Sequence, residues 1–288
     1  MKITQQQKRI AAIHDISGFG KCSLTVALPI LSAAGIETSV VPTAVLSTHT
    51  GGFTGFTYRD LTEDIRPFVQ HWKSLNLRFD AIYTGFLGSF EQLELIKEVF
   101  DTFKSKDTLI MVDPVMADNG ELYSIFSPEF AVGMRSLCEK ADILVPNITE
   151  ASLLVGEPYC EGPHTKEYIE TLIKKLAALG PKKIVLTGVF FDETDLGAAT
   201  YDGDSDKIEY AFAQRIPGFF HGTGDVFGSA LLGALLNGFE LRHAAQIAAN
   251  FTADSIRRTF EAKTDIRFGV NFEQAIPLFL KELRIVNN

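Results

Sequence analysis

The chain has 288 residues, 46 % hydrophobic and 22 % charged, with a formal net charge of −9. Those fractions exclude a disordered or coiled-coil chain. The acidic balance, with no basic run longer than the pairs Lys182-Lys183 and Arg257-Arg258, argues against a nucleic-acid partner. Along the chain, Arg9–His14 reads as a strand, and 22–34 as a helix stopped by Gly35. Residues 38–46 read as a second strand, 51–55 as a glycine-rich loop, and 81–84 as a strand between helices opening at Asp60-Leu-Thr-Glu63 and Ser89-Phe-Glu-Gln92, both with capping-box spacing. A strand at 109–112 precedes a helix from Ser127-Pro128 to about Lys140. The strand 143–145 leads to a short helix from Thr149 to Gly156. An amphipathic helix at 166–179, a strand at 184–187 and a hairpin over 196–215 turning at Asp202-Gly203 follow. Helices near 223–237, 241–260 and 271–283 complete the pattern.

Strands alternating with helices imply βαβ units in a mostly parallel sheet with helices on both faces. No polar linker divides the sequence, so one α/β domain over 1–288 is expected, with 47–57 as a flap. Cys22, Cys138 and Cys160 fit neither a disulfide framework nor a metal knot. The polar start MKITQQQKR lacks a signal-peptide core, and no run nears 18 apolar residues. A cytoplasmic protein that avoids membranes is the expectation.

Ligands of such sheets bind beyond the carboxyl ends of the strands. There the first turn, HDISGFGKCS (14–23), nearly matches the dinucleotide fingerprint but lacks its third glycine and an acid ending the next strand. At a helix start, Gly222-Thr-Gly-Asp225 pairs amides that attract an anion with a carboxylate that repels one. The pairing makes sense for phosphoryl transfer, with the acid taking a hydroxyl proton and the amides stabilising the transferred charge. Asp113 and Asp118 after one strand, and Glu150 after another, are unpaired acids that invite Mg²⁺ beside phosphates. The plainer alternatives are turn-forming and helix-start acids. Cys22 beside Lys21 at a helix start has the setting of a lowered thiol pKa, but no base stands near it to make it a nucleophile. Trp72, near Phe68 and Leu75, reads as core or interface rather than as a cofactor contact.

VDPVMAD (112–118), PNITEA (146–151), GTGD (222–225) and STHTG (47–51), in order along most of the chain, resemble pyridoxal (vitamin B6) kinases of the ribokinase-like superfamily. The resemblance implies a ribokinase-like three-layer sandwich and ATP-dependent phosphorylation of the 5′-hydroxymethyl of pyridoxal, pyridoxine or pyridoxamine. It also implies Mg²⁺, often K⁺, and a homodimer. By the same resemblance Asp225 is the base, and Gly222, Thr223 and Gly224 form the anion hole. Asp113, Asp118 and Glu150 organise the metal, while Asp113, Asn147, Glu150 and Thr187 face ATP. His49 and Thr50 approach the ring from the flap, His14 stands where the substrate-binding serine usually sits, and Ser17 is the nearest hydroxyl. Two departures matter: Gly52 intervenes before Phe53, and the first turn is closer to the GSD-x-SGG of hydroxymethylpyrimidine kinases of thiamin synthesis. That activity is the rival reading, although those enzymes resemble AQNT at the flap. A non-catalytic vitamer-binding protein on the same fold is the third.

Overall fold

The computed structural model describes residues 7–286. Its sheet is assembled from β1 (Arg9–Ser17), β2 (Glu37–Leu46), β3 (Tyr58–Asp60), β4 (Ala81–Thr84) and β5 (Leu109–Val112), then β8 (Ile143–Leu144), β9 (Lys183–Val189), β10 (Asp195–Asp202) and β11 (Lys207–Gln214). β6 (Ala117–Asp118) and β7 (Glu121–Leu122) form a separate small hairpin. The order across the main sheet is β11-β10-β9-β8-β5-β4-β1-β2-β3. The inner pairings, from β9 to β2, are all parallel. Only the outer strands β10, β11 and β3 run antiparallel to their neighbours. The carboxyl ends of the inner strands therefore share one edge.

Alternation along the strands divides the core in two. Ala11, Ile13, Ile82, Ile110 and Val112 face α2 (Thr62–Ser74), α3 (Phe90–Phe103), α4 (Pro128–Cys138), α5 (Ile148–Val155) and α6 (Lys166–Ala177). Ile10, Ala81, Tyr83 and Met111 face α1 (Leu24–Ala33), α7 (Thr223–Leu236), α8 (Leu241–Glu261) and α9 (Ile276–Glu282). This is the expected α/β sandwich with helices on both faces. Trp72 packs beside Phe79 and Phe103, as a core residue should. No described helix is long and apolar enough to cross a membrane.

Several local expectations are corrected. The edge strand β3 and the β6–β7 hairpin were not legible, because both are too short to show a period. Asp60 lies one residue before the N-cap Leu61, its carboxylate accepting the Thr62 N–H at 2.7 Å, so the box centred on it does not form. Ser89 does cap α3, but the Gln92 side chain accepts from Gly88 N–H rather than from Ser89. The helix expected from 271 begins at Ile276, after a 3₁₀ turn at Phe272–Gln274.

Candidate active site

Helix α7 starts from Gly222, which sits at φ 76° and ψ 3°. A β-carbon there would lie 2.1 Å from Lys21 O, so both the torsion and the packing demand glycine. Val226 N–H is bonded to Gly222 O at 3.1 Å, so the amides of Thr223, Gly224 and Asp225 precede the first intrahelical bond. Gly224 is exposed with nothing near its would-be β-carbon. Thr223 Oγ1 donates back to Phe220 O at 3.3 Å. Asp225 Oδ2 accepts the Ser23 N–H at 2.8 Å. Burial pushes its carboxyl up to about 7, against the lowering effect of that N–H and with the charge of Asp15 adding to it. A carboxylate near neutrality beside free amides can exchange a proton while an anion is held.

Ser23 makes the connection to the first turn. It adopts φ 55° and ψ −129°, a rare conformation for a residue with a side chain. Its N–H reaches Asp225, and its hydroxyl donates to Asp15 at 2.5 Å. Ser17 donates to the other Asp15 oxygen at 3.0 Å. Ser17 is buried and its proton is committed there, so it could meet a substrate only as an acceptor. His14 lies deeper. It is fully buried, edge-on to Tyr83 at 4.5 Å, with neither ring nitrogen hydrogen-bonded among the described residues. Burial lowers its pKa to about 3. A β-carbon on Gly85 would fall 2.2 Å from His14 Nδ1, so that glycine admits the ring.

The acids cluster behind α7. Asp113 is buried, and its carboxyl is pushed well up by burial and by the charges of Glu150 and Asp225. Glu150 is also raised by burial, although both its oxygens accept backbone N–H groups, from Met116 at 3.2 Å and Asn147 at 2.9 Å. Asn147 completes a capping box on α5 by accepting Glu150 N–H at 2.9 Å, and its amide donates to Ala117 O. The Asn147 side chain thus makes one bond with each of its polar atoms, and the half-buried amide keeps a second N–H for a ligand. Asp118, raised by burial, accepts Asn119 N–H at 2.9 Å. Thr187 donates to Pro146 O at 3.3 Å beside the bridge that joins it to Asn147.

Among the described residues no three acids, imidazoles or thiols are close enough to hold a metal by themselves. The donor set is nonetheless hard oxygen, buried and mutually repelling, and suits an ion held through water and substrate phosphates. Asp113 fits best, since nothing but burial and neighbouring acids acts on it. Glu150 accepts a backbone N–H on each oxygen and keeps lone pairs for an ion or for the water around it.

The loop 47–57 folds over this edge. His49 Nδ1 accepts Gly51 N–H at 3.1 Å, so Nε2 carries the hydrogen and donates to Arg267 O at 2.6 Å. Burial lowers the His49 pKa. The Arg267 guanidinium lies over Phe53 at 5.6 Å, and Phe268 packs on Phe19 at 4.9 Å. Gly51 and Gly52 are pressed against the His221 ring and the Arg267 side chain, which explains the extra glycine before Phe53. Thr50 is exposed at the tip. Arg267, Phe268, His221, Tyr83, Asp15 and Ser23 are the residues that sequence reading missed. A signal existed only for Ser23, in the slot of the fingerprint's missing glycine. Burial and the charges of Asp225 and Asp15 push the Cys22 thiol well up. This reverses the lowered pKa its position beside Lys21 suggested, because Lys21 reaches away to Glu273 and Asn271.

A family model described as phosphomethylpyrimidine kinase matches residues 30–268. A Bacteroides thetaiotaomicron protein, assigned as a phosphomethylpyrimidine kinase and solved with pyridoxal, is 38 % identical. The match covers 95 % of this chain and 96 % of that one, with a TM-score of 0.91. Pyridoxal kinase from Lactobacillus plantarum is 30 % identical across 99 % of this chain and 100 % of its own, with a TM-score of 0.87. A hydroxymethylpyrimidine/phosphomethylpyrimidine kinase from Aquifex aeolicus is 30 % identical over 60 % of this chain and 66 % of its own. The sandwich architecture is shared with the B. thetaiotaomicron and L. plantarum proteins.

Proposed function

Because the chain belongs to the phosphomethylpyrimidine kinase family, we propose that it transfers the γ-phosphoryl group of ATP to the 5′-hydroxymethyl of pyridoxal, pyridoxine or pyridoxamine. The observation that carries this reading is the pairing of Asp225 with the amides opening α7: a partly buried carboxylate, raised to about 7, three residues after a left-handed glycine. The substrate oxygen attacks the γ-phosphorus, the bond to the β-bridging oxygen breaks, and ADP departs. Asp225 takes the hydroxyl proton, and the Thr223, Gly224 and Asp225 amides face the phosphoryl oxygens. The N–H of Ser23 fixes the carboxylate while Asp15 anchors the Ser23 hydroxyl. Asp113, with Asp118 and Glu150, would hold Mg²⁺ through water. Bound there, the ion offsets phosphate charge. K⁺ activation and a homodimer follow from the resemblance alone.

The B6 substrate is supported by the HTG flap, by pyridoxal in the B. thetaiotaomicron relative, and by the near full-length match to the L. plantarum kinase. A second reading, phosphorylation of a hydroxymethylpyrimidine, is favoured by the first turn and by the A. aeolicus relative. ADP release with ATP, Mg²⁺ and pyridoxine, with the phosphomonoester product followed by ³¹P NMR, tests the proposal. Absence of both signals would overturn it.

A further inference from the structure

Gly228 lies inside helix α7, where glycine is less stable than alanine. Tyr83 accounts for it. A β-carbon on Gly228 would sit 2.5 Å from Tyr83 Oη and 3.3 Å from Cζ, too close to the oxygen for any real side chain. Tyr83 is fully buried on β4, and its hydroxyl makes no hydrogen bond among the described residues. A buried hydroxyl without a partner costs stability as well. Phenylalanine at 83 with alanine at 228 would remove both costs, so the hydroxyl is kept against two penalties at one point.

The surroundings of the hydroxyl indicate its use. The same would-be β-carbon lies 3.8 Å from Asp113 Oδ2, so the Tyr83 hydroxyl and the Asp113 carboxylate flank one glycine. Asp225 precedes Gly228 by three residues on the same helix, and its charge is felt at Tyr83 together with that of Asp113. The remaining polar neighbours are the Ser229 hydroxyl, also buried and unbonded, and the neutral His14 ring against the Tyr83 face. A phenolic donor with no acceptor thus stands beside a carboxylate on which no hydrogen bond acts. When a cation beside it keeps Asp113 ionised, its carboxylate outcompetes a hydroxyl for that proton.

We propose that Tyr83, admitted by Gly228, is a positioning residue whose hydroxyl donates to the Asp113 carboxylate and aims it at the phosphate and Mg²⁺ region. The inference rests on the kinase reading of Asp113. It does not require Tyr83 to touch substrate.

The full chain serves as the test material, in wild-type form and as Tyr83→Phe, Gly228→Ala and the double variant. Tyr83→Phe is expected to lower kcat about 10-fold, the usual scale for losing a group that orients a metal-site ligand. It should raise the Mg²⁺ concentration for half-maximal rate several-fold and leave the KM for the alcohol within about twofold. Without turnover, the thermal upshift given by ADP with Mg²⁺ should shrink, while the shift given by ADP with EDTA stays as in wild type. An unchanged Mg²⁺ requirement together with an unchanged Mg²⁺-dependent ADP shift would overturn the proposal. Gly228→Ala should lower Tm and Tyr83→Phe should restore it in the double variant. A Gly228→Ala protein as stable as wild type would overturn the contact itself. Should the wild type release no ADP with any alcohol, the kinase reading fails, and the Mg²⁺-dependent ADP shift of Tyr83→Phe still decides the role of Tyr83.

Discussion

Replacing Asp225 by Asn separates what the carboxylate does for turnover from what it costs the fold. The amide oxygen of Asn can still accept the Ser23 N–H that now meets Asp225 at 2.8 Å, so the local backbone keeps its anchor. Burial raises this carboxyl from 3.8 to about 7. Between those pH values the folded chain retains a proton that the unfolded chain has released, so the residue's contribution to stability falls as pH rises from about 4 to about 7 and is flat above. At 1.36 kcal/mol per unit, a separation of about 3 units corresponds to about 4 kcal/mol at pH 8 and about 1.5 kcal/mol at pH 5. Residual hydration of this partly exposed group brings the expected gain of Asp225→Asn at pH 8 to about 2–4 kcal/mol. Urea denaturation of both proteins at pH 5 and pH 8 measures it, with the variant's advantage larger at pH 8. Turnover should fall about 10²–10⁴-fold, the range for losing a general base, while ADP binding persists. An advantage that does not grow with pH would refute the buried, ionising carboxylate. Turnover within about 10-fold of wild type would refute the base.

The same proton predicts that kcat/KM rises with pH through an acid limb near 7 and then levels, because only the ionised carboxylate accepts the hydroxyl proton. A flat profile from pH 5.5 to 8.5 would contradict that. Gly222→Ala places a β-carbon 2.1 Å from Lys21 O at a positive φ. It should cost about 2–4 kcal/mol by urea titration and abolish the nucleotide-dependent rise in Tm. His49→Ala removes the bonds tying the flap to Arg267 and Gly51. It should raise the KM for the alcohol about 10-fold and leave the KM for ATP near wild type, as steady-state kinetics would show.

The legible part of this protein was its local part. Strand–helix alternation identified the sandwich, and the strand-end motifs, each contiguous in sequence, lie together at the carboxyl edge of the parallel strands. What the sequence does not announce depends on partners far away. Ser17 and His14 belong to the first turn, but Gly85 and Tyr83 on the neighbouring strand bury His14, and Asp15 takes the Ser17 proton. Ser23 meets Asp225 across 202 positions, which no local spacing announces. Arg267 closes the flap from a segment 218 residues after His49. Asn147 and Glu150 have the spacing of a capping box, readable from sequence, and the box forms at the start of α5.

The central claim is that this site phosphorylates a hydroxymethyl-pyridine. The most direct measurement compares kcat/KM for pyridoxal and for hydroxymethylpyrimidine in one ADP-release assay with ATP and Mg²⁺. The account predicts a higher value for pyridoxal, reduced to background by Asp225→Asn. A clear preference for the pyrimidine alcohol would contradict it.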